Sequence, residues 1–226
     1  GIPNNSDILE KARENSIKIL DEIEFAYLYS NYKIIAITGS NGKTTVTTKI
    51  YELLKKAGKK VQYAGNIGKS FAELVANGVE LDYLILELSS YQLENIMKFK
   101  PYISMVINLS PDHLNRYDNL NEYYNVKYNI MKNQDKNSYT IVNYDNKETI
   151  NRIEVIKPDI KKIKISTNKQ NVDFFVENGR IVYKEKYLEI ERFSLKGVHN
   201  LENILFIISV AYILDIPFLT LKNFLY

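Results

Sequence analysis

The stretch IIAITGSNGKTTVTTKI, residues 34–50, decides the fold of this 226-residue chain. Its opening IIAIT is apolar and largely β-branched, which suits a strand buried on both faces. Glycines break the strand at Gly39 and Gly42. An amphipathic stretch from Lys43 to Ala57 follows at once and stops at Gly58. Strand, glycine turn and helix in immediate succession make a phosphate loop. Glycines let the backbone curl so that successive N–H groups point at phosphate oxygens, and the helix amino terminus adds positive potential. Gly39, Ser40, Asn41, Gly42, Lys43, Thr44 and Thr45 form the nucleotide cradle. Lys43 bridges the β- and γ-phosphates, and the Thr44 hydroxyl suits a Mg2+ ligand. The loop is the tight form Gly-x-x-Gly-Lys-Thr, because Ile37, where the longer pattern asks for glycine, belongs to the strand.

Outward from this stretch, YLILEL (83–88), ISMVIN (103–108) and YTIVN (139–143) read as further buried strands. Helical segments are expected at 69–76, 90–97 and 121–132. Strands alternating with helices predict an α/β fold, a mostly parallel sheet flanked by helices on both faces. IKISTN, VDFFVENG and RIVYKEKYLEI, within residues 160–196, are strand-like, and Asn178-Gly179 is a strong hairpin signal. A small antiparallel flap is expected there. Asn200–Leu214 is a mostly apolar helix with Asn200 placed as its N-cap. Residues 1–30 read as a helical lead-in or linker with Ser6 as N-cap, and 31–226 as one nucleotide-binding domain.

Composition narrows the function classes. Thirty Lys and Arg against 27 Asp and Glu leave a net charge of +3, with the basic residues scattered, so no nucleic-acid partner is expected. The chain has no cysteine. That excludes disulfides, thiolate metal sites and a cysteine nucleophile, and is compatible with a reducing cytoplasm. The most apolar run, Ile204–Leu214, is shorter than the roughly 20 residues a membrane span needs. The chain opens at Gly1 and stops at Tyr226 inside an apolar-periodic run, as expected of a piece of a longer protein.

Two further side chains, Glu87 and His113, are candidates for chemistry, and Lys127 and Asn203 have only ordinary readings. Glu87 ends a parallel strand and so faces the crevice where open α/β sheets bind ligands. It either holds Mg2+ opposite Thr44 or caps the next segment through Ser89 or Ser90. His113, one of two histidines, follows the strand ISMVIN and lines the same crevice as a ligand or as a structural residue, with Asp112 beside it. Lys127 shares a helix face with Tyr123, Tyr124 and Ile130, and its ordinary reading is a stem that snorkels to solvent. Asn203 lies one turn beyond Asn200.

Seven segments then occur in order: GSNGKTT, GNIG (65–68), ELSSYQLE (87–94), PDHLNRY (111–117), EYYNVKYNI (122–130), VNYDN (142–146) and GVHNLEN (197–203). Together they resemble the central ATPase domain of the Mur ligases, and ELSSYQLE with GNIG resembles the branch that adds D-glutamate to UDP-N-acetylmuramoyl-L-alanine. The opening GIPNN resembles the junction behind that family's N-terminal domain. The resemblance implies an ATP-dependent ligase of peptidoglycan synthesis that makes an amide bond through an acyl phosphate. It implies ATP and two Mg2+ sites, Thr44 and Glu87 at the first, His113 and a carbamylated Lys127 at the second. Lys43, His113 and Lys127 would be the catalytic set. Asn66, Ser89 and His113 would lie at the UDP-muramoyl substrate, and Asn200 at the adenine. It also implies partners in the family's N-terminal uridine-nucleotide domain and C-terminal domain, without which ligation is expected to be poor. A folylpolyglutamate-synthase-like ligase, a P-loop kinase or GTPase, and a stand-alone nucleotide-binding module are the alternatives.

Overall fold

A computed structural model describes residues 6–111, 117, 119–156, 159–183, 186–195 and 197–226. Two helices, α1 (Asp7–Glu14) and α2 (Glu22–Leu28), lead into β1 (Ile34–Thr38) and α3 (Lys43–Lys56). β2 (Val61–Gly65), α4 (Phe71–Ala76) and β3 (Tyr83–Glu87) follow, then β4 (Ile103–Val106), α5 (Leu120–Tyr128) and β5 (Tyr139–Asn143). α6 (Lys147–Ile156) carries the chain to β6 (Lys161–Ser166). The remainder is β7 (Phe174–Glu177), β8 (Arg180–Tyr183), β9 (Lys186–Glu189), α7 (Val198–Ile213) and α8 (Phe218–Leu225).

Among the described residues the strands form one sheet in the order β2-β3-β1-β4-β5-β6-β7-β8-β9. Pairing is parallel from β2 through β7. The apolar run of β1 is explained by its position, since strand side chains alternate between faces and both faces are covered. Ile35 and Ile37 pack into one core with Val46, Ile50 and Leu53 of α3 and with Phe206 and Ile208 of α7. Ile34 and Ala36 pack into the other with Ile23 and Ala26 of α2 and Phe71 and Leu74 of α4. The second half of the expected lead-in is therefore part of the core. No helix among the described residues is long and apolar enough to cross a membrane.

The α/β class stands as the sequence predicts, with local differences. The antiparallel arrangement is confined to β7, β8 and β9, while β6 and the start of β7 extend the parallel sheet. The reason is α6, unmarked in the sequence reading, which supplies the crossover that a parallel β5–β6 pair requires. RIVYKEKYLEI divides into β8 and β9. The β7–β8 turn is the expected one: Asn178 and Gly179 both take left-handed φ, 48° and 72°, between paired Glu177 and Arg180. The helix expected over 90–97 is reduced to a single 3-10 turn at Tyr91–Leu93. The backbone N–H groups of Met97, Lys98 and Phe99 instead donate to the Glu24 carboxylate at 3.0, 2.6 and 3.0 Å. Glu24 is buried, and three donors to one carboxylate are what make that burial tolerable. α7 begins earlier than predicted, at Val198 with Gly197 as N-cap, which moves Asn200 from the cap position into the first turn. Ser6 does precede α1, but its hydroxyl makes no capping bond.

A second carboxylate clasps the carboxyl ends of β5 and β6. Asp145 accepts from the Thr167 N–H at 2.6 Å, from the Thr167 hydroxyl at 2.8 Å and from the Ser166 hydroxyl. Burial pushes its pKa up, but hydrogen bonds from Ser166, Thr167 and Asn168 together outweigh burial and hold it below the usual carboxylate value. A carboxyl whose folded pKa is lowered stabilises the fold above its unfolded pKa and loses that contribution as pH falls through the folded one. Asp145→Asn is expected to lower stability by about 1 kcal/mol at neutral pH, the clasp being partly open to solvent. Thermal melts of the two proteins should converge on acidification, and a gap independent of pH would contradict the assignment.

Candidate functional site

β1 is flanked by β3 on one side and β4 on the other: from β1 the chain runs to β2 beyond β3, and from β3 it crosses past β1 to β4. Such a switch point opens a crevice beyond the carboxyl ends of the strands, where ligands of open α/β sheets bind. Four strand ends meet there. Register places Glu87 of β3 beside Ile37 of β1 and beside Gly65 of β2, while Thr38 of β1 lies beside Val106 of β4.

The loop from Gly39 to Thr45 joins β1 to α3 at this edge. Gly42, in left-handed conformation at φ 81°, is the N-cap residue of α3. The Lys43 ammonium folds back and donates to the Gly39 and Ser40 carbonyls, both at 3.0 Å. The Ser40 hydroxyl donates to the Ser110 carbonyl at 2.9 Å and accepts from the Ser110 N–H at 3.0 Å. Asn108, just past β4, is a residue to which the sequence reading gives no role. Its Oδ1 accepts from the N–H groups of Ser40 and Asn41 at 3.2 and 2.9 Å, and its Nδ2 donates to the Asn41 carbonyl at 2.9 Å. Position immediately after a strand beside β1 was the available signal, but an asparagine there is equally a turn residue.

Glu87 is 1% exposed. One carboxylate oxygen accepts from the Thr44 hydroxyl at 2.9 Å and the other from the Asn66 side-chain amide at 2.8 Å. The carboxylate faces Thr44 and Asn66 and makes no bond to Ser89 or Ser90 among the described residues. Ser89 bonds instead to Gln92 Oε1, through its N–H at 3.1 Å and its hydroxyl at 3.2 Å. The Asn66 N–H donates to the Glu87 carbonyl at 2.8 Å, which brings the chain after β2 hard against β3. Gly65 permits this. Its φ is +100°, and a Cβ there would lie 2.4 Å from the Glu87 carbonyl oxygen. Thr44 and Glu87 are hard oxygen donors, the set that suits Mg2+ when a ligand's phosphate oxygens and water complete the shell. Among the described residues no three His, Cys, Asp or Glu side chains converge as a metal site.

Lys127 does not snorkel. It is 2% exposed, donates to the Gly39 carbonyl at 3.0 Å, and lies 4.7 Å from the centroid of the Tyr123 ring. The packing of α5 over the loop encloses the stem that an isolated helix would have left free. On the other side, the Asn203 amide oxygen sits 3.0 Å from the point a Cβ on Gly42 would occupy, and its Nδ2 is 3.5 Å from Asn200 Oδ1. The fold thus brings Lys43, Thr44, Asn66, Glu87 and Lys127 to one edge, with Asn203 against Gly42 and Asn200 bonded to it. His113 and Asp112 lie outside the described residues.

Gly65→Ala should destabilise the protein by about 2–4 kcal/mol, combining backbone strain with a clash against main chain. A denaturation midpoint unchanged in that variant would refute the close approach of the β2 and β3 ends.

Residues 37–211 match the Mur ligase middle domain family. The chain is 49% identical over its whole length to the UDP-N-acetylmuramoylalanine–D-glutamate ligase of Fusobacterium nucleatum, and covers 52% of that relative. It is 40% identical, over 99% of its length, to the ligase of the same name from Thermoanaerobacter pseudethanolicus, covering 51% of it. The chain therefore spans about half the length of the curated relatives it matches. Among solved structures, a UDP-N-acetylmuramoyl-L-alanyl-D-glutamate–2,6-diaminopimelate ligase superposes with a TM-score of 0.69 at 21% identity, over 90% of this chain and 47% of that one. The UDP-N-acetylmuramate:L-alanyl-gamma-D-glutamyl-meso-diaminopimelate ligase from Neisseria meningitides gives 0.71 at 14% identity, over 99% and 75%. These two likenesses establish the fold, and the match over residues 37–211 establishes that the chain belongs to the Mur ligase middle-domain family.

Proposed function

We propose that this chain is the nucleotide-handling domain of an ATP-dependent ligase that adds D-glutamate to UDP-N-acetylmuramoyl-L-alanine in peptidoglycan synthesis. The observation that carries the reading is the Thr44–Glu87–Asn66 chain of hydrogen bonds at the head of the phosphate loop. It places a hydroxyl and a carboxylate beside the N–H groups that would hold the phosphates. The 49% identity to a D-glutamate ligase supports the choice of branch.

In this reading Gly39 to Thr45 cradle the triphosphate, and Lys43 leaves the Gly39 and Ser40 carbonyls for the γ-phosphoryl group. Thr44 and Glu87 hold a first Mg2+. His113 and Lys127 hold a second, Lys127 having gained CO₂ as a carbamate. Asn66 and Ser89 lie toward the muramoyl substrate and Asn200 toward the adenine. Bound Mg2+ supplies charge neutralisation, without which a carboxylate and a triphosphate repel. The substrate carboxylate attacks the γ-phosphorus as the bond to ADP breaks. The amine of D-glutamate then attacks the acyl carbon, loses a proton and expels phosphate. Residues 31–226 form the central domain, and the uridine-nucleotide and amino-acid sites belong to other domains of the same enzyme. The chain by itself is expected to bind ATP and to ligate poorly or not at all. Lack of cysteine fits work in a reducing cytoplasm.

A guanine-reading P-loop protein is disfavoured by Asp145. Its carboxylate, in the VNYDN segment, is engaged by Ser166 and Thr167. Isothermal titration tests the reading: Mg-ATP should bind and Mg-GTP bind more weakly, and Lys43→Ala should reduce Mg-ATP affinity at least about tenfold. Preference for GTP, or unchanged affinity in the variant, would defeat it. For Lys127, ¹³C-bicarbonate NMR should show a CO₂-derived carbamate signal that disappears in Lys127→Ala. A signal that survives the substitution would remove Lys127 from the second cation site.

A further inference from the structure

The phosphate loop divides into two parts by the partners of its N–H groups. Ser40 and Asn41 are bonded to Asn108: the Ser40 N–H reaches both the Asn108 carbonyl at 3.1 Å and Oδ1 at 3.2 Å, and the Asn41 N–H reaches Oδ1 at 2.9 Å. The Asn108 amide closes the pair in the other direction by donating to the Asn41 carbonyl at 2.9 Å. Its side chain thereby treats Asn41 as a neighbouring strand would, taking its N–H and feeding its carbonyl. Among the described residues the next four N–H groups, of Gly42, Lys43, Thr44 and Thr45, have no such partner. The first hydrogen bond of α3 runs from Val46 N–H to the Gly42 carbonyl, leaving these four at the open helix end. The Asn41 carbonyl is occupied by Asn108 and does not fold onto α3.

We propose that Asn108 is the positioning residue of this phosphate loop, fixing its first half so that the N–H groups of residues 42–45 converge on one phosphate group. The inference rests on the nucleotide-binding reading above for what the four N–H groups hold, but not for how the loop is shaped. Gly39 and Gly42 have broad conformational freedom, and a loop containing both is floppy unless something outside it sets its path. The side-chain amide of Asn108 sets it from the neighbouring strand β4, through three hydrogen bonds, without contacting the ligand. Preorganised donors bind phosphate more tightly than donors that must first be ordered.

The test compares the 226-residue chain with Asn108→Ala and Asn108→Asp. Two readouts are taken: ¹⁵N-resolved exchange of the Ser40 and Asn41 amides without ligand, and affinity for magnesium tripolyphosphate and for Mg-ATP. In Asn108→Ala the Asn41 amide should exchange faster, the Ser40 amide should change less because it keeps its bond to the main-chain carbonyl of position 108, and both affinities should fall by about tenfold or more. Asn108→Asp keeps the acceptor for the two N–H groups while losing the donor. It should retain much of the amide protection and still bind phosphate weakly, because it adds a negative charge beside it. A merely structural role would lower the melting midpoint without moving phosphate affinity, and that result would overturn the proposal. Unchanged exchange of the Asn41 amide in Asn108→Ala would overturn it as well. If the unsubstituted chain binds neither polyphosphate nor ATP, the nucleotide reading fails, while amide exchange still decides whether Asn108 shapes the loop.

Discussion

Every part of this structure follows from the burial of β1 on both faces. A strand covered by α3 and α7 on one side and by α2 and α4 on the other can carry only apolar side chains along its length. Polar chemistry is thereby driven to its end, where the chain emerges as Gly39-Ser40-Asn41-Gly42. The same constraint acts on β3 and β4: Glu87 and Asn108 fall at or just beyond their carboxyl ends, and Ser104 inside β4 is tolerated because its hydroxyl bonds to Gln134 and Thr140. Placing β1 between these two strands gathers the three polar ends into one crevice. The site is a by-product of where a buried sheet is allowed to be polar.

Burial of charge at the site is arranged through donors and acceptors of the main chain and of small amides. Glu87 is almost wholly enclosed, yet both its oxygens accept a hydrogen bond. Lys127 is equally enclosed and rests on the Gly39 carbonyl and the face of Tyr123. Lys43 sits on two carbonyls of its own loop. Each of these partners is replaceable by a ligand group of the same kind. Lys43 can exchange a carbonyl for a phosphate oxygen, and Glu87 a hydroxyl for a cation. These three charged groups are satisfied by the protein itself and remain poised in one place.

The sequence carried the elements whose signal is local. The phosphate loop, the apolar strands and the Asn178-Gly179 turn each depend on a few adjacent residues, and they formed as read. What was not legible depended on residues far apart in the chain. The segment 90–97 has a helical pattern, but Glu24, more than seventy positions away, captures the N–H groups at and just beyond its end, those of residues 97–99. Lys127 looks like a surface lysine until α5 is laid over Gly39. β6 looks like part of an antiparallel flap until α6 is recognised as its crossover. Asn108 is an ordinary strand-end asparagine by type, and its pairing with Asn41 exists only because β4 lies next to β1. The family resemblance supplied roles that composition and spacing did not, and geometry then put five of the residues so named at one edge of the sheet.

The grip of Glu24 on residues 97–99 has a mechanical side. Three charge-assisted hydrogen bonds fasten α2 to the segment that runs back from the end of β3, each contributing about 1.5–3 kcal/mol. Parting them would leave a buried carboxylate without donors, so α2 and this segment are obliged to travel together. α2 is thus held to the stretch that continues from Glu87 and Ser89 at the rim of the crevice, with Glu24 as the tooth that engages.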